Sequence, residues 1–332
     1  MQDAAFSADQ RPYAFVIGNH SRMAIMARIA IVGAGAIGAV AASLLQSTGK
    51  HELALCVRRP IRGLVVETPA IGMRSDMTEE IRPETLLDAQ IWTDPTQAEP
   101  VDWVLVATKA YDVPSTARWL EHLRSASTPV AVLQNGVEHR ERFAPFVDVS
   151  AIVPVIVDCP AERRPATDGI DRVAQRGPMS LRVPADVHGE AFVALFRGSL
   201  ADAEVTADWT TIAWKKLCHN AAGVLSALLL QPTGVLRDND IGDLAVDLVR
   251  ECVAVGRAED ARLDDDMPEQ VLAAARRASV DSVNSLLADR LAGRPMEIDA
   301  RNGAIVRLGA KHNIPTPANR MAATLLRALA AH

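Results

Sequence analysis

The sequence is short of several things, and each shortage narrows what the chain can be. Its four cysteines, Cys56, Cys159, Cys218 and Cys252, are scattered, with no CxxC pair and no histidine at zinc-finger spacing. That pattern excludes a disulfide-stapled scaffold and a structural zinc module, and it fits a reducing cytoplasm. Aromatic residues make up only 4%, and Gly and Pro stand at 19 each, which excludes collagen-like and low-complexity classes. No apolar run reaches the ~18–20 residues of a membrane span. The longest, Ala221 to Leu230, stops at Gln231-Pro232. Basic residues are not in excess either, since 35 Lys+Arg face 41 Asp+Glu for a net charge of −6. A nucleic-acid binder needs a concentrated basic face to neutralise phosphates. Neither nucleic acid nor a membrane is therefore expected as a partner.

What is present is an enzyme-sized chain. At 332 residues, 49% hydrophobic and 23% charged, it has room for two globular domains of ~100–200 residues each. Residues 1–27 are irregular, and Arg11 and Arg22 interrupt their short apolar pieces. They lack the apolar core of a secretory signal and are expected to be a leader outside the fold, with Met26 as an alternative start. From Ile29 the rhythm is clear. Ile29–Val32, Leu53–Val57, Val101–Ala107 and Pro129–Leu133 are short apolar runs of the kind buried on both faces of a parallel sheet. Helices are expected at Ile37–Ser47 and Pro114–Leu123, so strands and helices alternate as in a doubly wound α/β layer.

After about Ser150 the pattern changes. Ile152–Val157 and Gly169–Val183 read as strands, in part an antiparallel edge, and His188–Ser199 as a helix. Beyond Trp209 only helical spacing remains, through Ile212–Leu230, Ile241–Ala261, Val271–Leu291, Ile298–Lys311 and Asn319–Ala330. Thr316-Pro317 has the form of a capping hydroxyl followed by Pro at the first helical position. The expected architecture is an α/β, Rossmann-type domain over residues 28–207, followed by an all-helical domain over 208–332.

The strongest local signal is Gly33-Ala34-Gly35-Ala36-Ile37-Gly38, a GxGxxG that follows an apolar strand and opens a helix. Gly33 would allow the tight turn, Gly35 would leave room for a pyrophosphate, and Gly38 would let helix and strand pack closely. The diphosphate would meet the free N–H groups of Ala36, Ile37 and Gly38 at the positive end of the helix. NAD-specific folds place Asp or Glu about 20 residues further on, against the ribose hydroxyl. Arg58-Arg59 occupies that place here. A guanidinium suits a 2′-phosphate, so NADP(H) is the expected cofactor, unless the pair is merely a solvated strand end.

Four further segments stand out: Thr108-Lys109-Ala110, Gln134-Asn135-Gly136, Trp214-Lys215-Lys216-Leu217-Cys218-His219-Asn220, and Glu297-Ile298-Asp299 before Asn302-Gly303. The first two end strands, where open α/β sheets bind ligands. Lys216 and Asn220 are spaced i, i+4 and share a helix face. Each residue has a plainer reading. Lys216 could be a solvated lysine, as its neighbour Lys215 is expected to be. Asn135 could be a left-handed turn residue, and Glu297 an acid favoured at a helix start. The eight histidines show no pairing, and Asp264-Asp265-Asp266 reads as a solvated loop. No metal is expected.

In this order and spacing the motifs resemble the ketopantoate reductase (2-dehydropantoate 2-reductase) family, over nearly the whole chain from residue 28. The resemblance implies NADPH-dependent reduction of 2-dehydropantoate to pantoate, on the route to pantothenate and coenzyme A. It implies that Lys216 is the general acid that protonates the ketone oxygen as the nicotinamide delivers hydride. Glu297 matches the substrate-site carboxylate. Asn220 and Ser285 match neutral residues that hold the substrate's oxygens. Asn135 and Lys109 match residues that border the nicotinamide end of the cofactor, Asn135 also contacting substrate. The family commonly carries a second Asn a turn or two after the one at 220, where this chain reads Ala221-Ala222-Gly223-Val224. That departure leaves room for another 2-oxo acid as substrate. A non-catalytic NADPH-binding regulator is a third reading, disfavoured because Lys216 and Glu297 are both retained. A homodimer is compatible with the helical half.

Overall fold

The computed structural model describes residues 26–69 and 83–330; nearly all of the expected leader, residues 1–25, lies outside them. In chain order the first elements are β1 (Ala27–Val32), α1 (Ala36–Ser47), β2 (His51–Cys56), β3 (Gly63–Glu67), β4 (Glu84–Leu86) and β5 (Gln90–Trp92). There follow β6 (Trp103–Val106), α2 (Val113–Leu123), β7 (Val130–Val132), α3 (His139–Phe143) and β8 (Ile152–Pro154). Six of these strands make one sheet in the order β5-β2-β1-β6-β7-β8, and every pairing in it is parallel. The apolar run of β1 follows from its central place, since Ile29, Ala30 and Ile31 are wholly buried, packed from both faces. The chain builds outward from β1 through β2, then returns to its other side at β6. The topological switch point therefore lies at the carboxyl ends of β1 and β6, where such sheets bind ligands.

Beyond β8 lie β9 (Ile156–Asp158), β10 (Ala161–Thr167), β11 (Ile170–Gln175), β12 (Ser180–Pro184), α4 (Val187–Leu195) and β13 (Asp202–Thr206). They complete two small sheets, β10-β11-β3-β4 and β13-β12-β9. The single strand expected over Ile152–Val157 is two. β8 closes the parallel sheet, and β9 turns away to pair antiparallel with β12. The antiparallel edge exists in β10–β11 and β9–β12, whereas β11–β3 and β12–β13 are parallel. β3, β4, β5, β10 and β13 were not anticipated. β10 is charged and exposed along nearly its whole length, so no alternation of polarity marks it.

From Trp209 to Ala330 every regular element is helical: α5 (Trp209–Ala222), α6 (Val224–Leu229), α7 (Asn239–Ala258), α8 (Met267–Arg277), α9 (Ser285–Leu291), α10 (Asn302–Lys311) and α11 (Pro317–Ala330). They bury their own apolar cluster around Trp214, Leu217, Val249, Cys252 and Ile305, apart from the two clusters on the faces of the sheet. Two expected long helices are each broken in two, Ile212–Leu230 at Gly223 and Val271–Leu291 between Arg277 and Ser285. α10 begins at Asn302 rather than Ile298, which leaves Glu297 to Arg301 in a turn. Nor does Thr316 cap α11 with its hydroxyl, which is buried without a partner among the described residues. The Glu251 carboxylate of α7 caps instead, accepting the N–H groups of Ala318 at 2.8 Å and Asn319 at 2.9 Å. An anion at the positive helix end outcompetes a neutral hydroxyl. Among the described residues, no helix is long and apolar enough to cross a membrane.

Candidate active site

The glycine loop is built as its spacing requires. Gly33 sits at φ +98°, and a Cβ there would lie 2.7 Å from the Thr108 nitrogen at the end of β6. A Cβ on Gly38 would lie 2.2 Å from the Gly33 carbonyl, which the close packing of α1 on β1 forbids. Gly35 differs, because a Cβ there would meet nothing within 4 Å. The space in front of Gly35 is open, and the N–H groups of Ala36, Ile37 and Gly38 have no acceptor within their own helix. No acidic residue stands in the first turn of α1. These features fit the diphosphate of a dinucleotide. Just past β2, Arg58 is 77% exposed and meets Asp112 at 3.3 Å. Its neighbour Arg59 is instead paired with Asp171, which Arg163 also holds. The expected basic pair thus divides, Arg58 being exposed with a single contact to Asp112 and Arg59 tied to Asp171.

At the end of β6 the chain meets the helical half. The Lys109 ammonium donates to Asp289 of α9 at 2.7 Å and to Glu297 at 3.2 Å. Glu297 also accepts the Asn135 amide at 2.9 Å and the Ala110 N–H at 3.0 Å. Burial alone would raise the Glu297 carboxyl, but Lys109, Arg301, the Ala110 N–H and the Asn135 amide outweigh it and hold the group below its ordinary range. Burial likewise lowers the Lys109 ammonium, yet Glu297 and Asp289 reverse the sign and raise it. Both groups are therefore ionised near neutrality. Gly136 makes this meeting of loops possible. It adopts φ +101°, and a Cβ on it would lie 2.6 Å from the Ala300 carbonyl. The left-handed residue of the turn is thus Gly136 and not Asn135. Arg142 braces the turn by donating to the Gln134 side chain and the Asn135 carbonyl, each at 2.8 Å.

Helix α5 supplies the third wall. Asp208 accepts the Thr211 N–H to start it. Trp214, Leu217, Cys218 and Ala221 point into the helical core, which turns Lys216 and Asn220 to the opposite side. There a small cavity is lined by Asn135, Gly136, Ile156, Lys216, Leu217 and Asn220, among others. The Lys216 ammonium donates to the Val157 carbonyl at the end of β9. Burial pushes it down to about 8, against the pull of Asp158 and Glu297 and with the repulsion of Arg301. Lys215 faces outward near Asp264, as a solvated residue should.

Of the residues singled out from sequence, Lys109, Asn135 and Glu297 are joined by hydrogen bonds, and Lys216 and Asn220 share a cavity with Asn135. Both hydrogen-bond partners of Lys109 are carboxylates of the protein itself. Ser285 is exposed at the start of α9, where its hydroxyl accepts from Arg301 at 2.7 Å. Val224, where the family commonly has its second Asn, is wholly buried in the helical core and does not face the cavity. The three consecutive acids diverge, Asp265 to Arg257 and Asp266 to Gln270. Asp289 and Arg301 escaped the sequence reading altogether. Asp289 has no motif around it, and Arg301 fills an unspecified position of ExDxxNG.

Comparison with known proteins agrees with this geometry. The family model described as ketopantoate reductase PanE/ApbA matches residues 29–182, and its C-terminal counterpart matches 208–330. The 2-dehydropantoate 2-reductase of Caulobacter vibrioides is 46% identical over 305 residues, 92% of this chain and 100% of that protein. The enzyme of the same name from Mycobacterium tuberculosis is 40% identical over 301 residues, 90% of this chain and 97% of its own. The solved 2-dehydropantoate 2-reductase from Geobacter metallireducens superposes with a TM-score of 0.79 at 26% identity, covering 91% of this chain and 99% of the other. With its glycine loop, its lysine helix and its buried glutamate in one arrangement, and relatives this similar over nearly its full length, the chain belongs to the ketopantoate reductase family.

Proposed function

We propose that the protein reduces 2-dehydropantoate to pantoate with NADPH, with Lys216 as the general acid. The observation that carries this reading is the Lys216 ammonium, set at about 8 by burial, in a cavity beside Asn135 and Asn220. A lysine so placed is protonated at neutral pH and acidic enough to give its proton up. Bound NADPH supplies the hydride that reduces the ketone carbon. The Nζ proton of Lys216 passes to the ketone oxygen, so that the carbonyl becomes a secondary alcohol and the lysine is left neutral. Before that transfer the ammonium stabilises the negative charge growing on the oxygen. Asn135 and Asn220 orient the substrate's oxygens, and Glu297 holds Asn135 and Lys109 in place. Gly33, Gly35 and Gly38, with the N–H groups of Ala36 and Ile37, cradle the diphosphate, and Arg58 takes the 2′-phosphate.

In this reading residues 28–207 are the cofactor domain and 208–332 the substrate domain. The protein works in the cytoplasm, in keeping with its four unpaired thiols. It works as a homodimer, which the exposed stripe Met321, Leu325 and Leu329 on α11 supports. The decisive experiment is a steady-state panel of 2-dehydropantoate and other 2-oxo acids, each with NADPH and NADH. The expected result is the highest kcat/KM for 2-dehydropantoate with NADPH. A better turnover of another 2-oxo acid would reassign the substrate. Tight NADPH binding with no turnover at all would leave a cofactor-binding regulator.

A further inference from the structure

We propose that Arg301 is the residue that binds the substrate's carboxylate, and hence the one that makes this site select 2-oxo acids over neutral ketones. The inference rests on the function proposed above. Arg301 is 3% exposed. Among the described residues, its side chain has one hydrogen bond, from Nη2 to the Ser285 hydroxyl at 2.7 Å, and its Nε is buried without a partner. The carboxylates of Glu297 and Asp289 act on it through space, but neither comes within 4.0 Å of it. A buried guanidinium with free donors and no paired anion is costly to the fold. An arrangement of that kind is suited to an anion that arrives with the ligand.

The chemistry of the substrate says where that anion must sit. In a 2-oxo acid the carboxylate is bonded directly to the ketone carbon. The cation that holds it must therefore neighbour the acid that protonates the ketone oxygen. Arg301 meets this condition, since it follows Ala300, whose carbonyl would lie 2.6 Å from a Cβ on Gly136, and Gly136 lines the Lys216 cavity. The other cations of the region are engaged. Lys109 is held by Asp289 and Glu297, and Arg142 donates from Nε, Nη1 and Nη2 to Glu138, Gln134 and Asn135. Arg301 alone of the three offers a planar fork, which matches a carboxylate bidentately. Ser285, fixed by the same guanidinium, then acts by positioning it. This gives the exposed serine a reason to belong to the site.

The test compares wild type with Arg301→Gln, Arg301→Lys and Ser285→Ala, using 2-dehydropantoate and its uncharged methyl ester. Loss of charged hydrogen bonds to a carboxylate should raise the KM for the acid in Arg301→Gln by roughly 10–100-fold. The KM for the ester and for NADPH should stay near wild type, so the preference for acid over ester collapses. Arg301→Lys should recover part of that preference, and Ser285→Ala should lose a smaller part. An acid KM within twofold of wild type, or equal rises for acid and ester, would overturn the assignment. Should Arg301→Gln fail to fold, the acid-to-ester ratio of Arg301→Lys decides, an unchanged ratio refuting the role. Should the wild type reduce no 2-dehydropantoate, the proposed function fails, and binding of oxamate to the NADPH complex reads Arg301 separately. Arg301→Gln should then bind oxamate at least tenfold more weakly, and unaltered binding would refute the role there too.

Discussion

Lys216 shows how a side chain acquires a role from its surroundings. On an exposed helix its ammonium would hold its proton well beyond neutrality; burial against β9 brings it to about 8. The acid form is the protonated one, so kcat/KM should be flat below that value and fall as pH rises through it. A pH–rate profile of the wild type checks the limb. Lys216→Ala should lower kcat by roughly 10²–10⁴ and remove the limb; an unchanged kcat would refute the role. The glycines of the loop make a second prediction, because their neighbours differ. Gly38→Ala drives a methyl into the Gly33 carbonyl and should cost about 1–3 kcal/mol of stability in urea denaturation. Gly35→Ala meets open space, so it should leave stability nearly intact and weaken NADPH binding instead. Equal effects of the two on stability would contradict the cradle. The role of Lys216 came only from the family resemblance, whereas the glycine loop was legible in sequence because local spacing alone sets it. Arg301 was not, although an arginine at the start of a helix stands against the dipole and is worth notice.

Elements were legible where burial leaves a periodic trace. The central strands and the amphipathic α7 and α11 read clearly, since one tertiary environment runs along each of them. β10, which buries almost nothing, left no trace. Breaks such as that at Gly223 left little, since apolar spacing continues across them. Capping of α11 is a clear case of a local signal overruled. Thr316-Pro317 has the right residues, yet the cap comes from Glu251, 67 positions away on α7. Glu251→Ala should therefore destabilise the protein by about 0.5–2 kcal/mol, the range for losing a helix cap. Thr316→Val should cost little or nothing, since the hydroxyl it removes is buried and unpaired. Urea denaturation of the two variants checks the pair, and a larger loss from Thr316→Val would restore the hydroxyl as the cap.

Across the whole molecule, the α/β half and the helical half meet at Lys109, Asp289 and Glu297. Glu297 titrates below its ordinary 4.5 in the folded protein. The stability it contributes is thus fully present above about that pH and is lost as pH falls through the lower folded value. Lys109→Met leaves the buried Glu297 without its paired cation and Asp289 with Arg294 alone. It should cost about 1–3 kcal/mol near neutrality, less than a fully buried pair because Lys109 is partly solvated. It should also move the onset of acid destabilisation to higher pH. Urea midpoints over a pH series check both effects, and superimposable profiles would show that the contact does not hold the halves together.

The net charge of −6 illustrates the division between sequence and structure. Composition gave no sign of a basic nucleic-acid surface, local spacing located the nucleotide loop, and the family resemblance picked out the lysine helix and the acidic turn. Those features depend on neighbours a few residues apart, which any chain carries in its order. What composition averaged away is the buried positive charge of Lys216, beside Asn135 and Asn220, and of Arg301, beside Ser285. The Lys216 cavity exists only when the loop after β7, strand β9 and helix α5 converge. The sequence therefore determined the fold class and the kind of chemistry. Tertiary structure decided which charges are paired, which are left free, and how acidic each becomes, because burial and the approach of distant groups set all three.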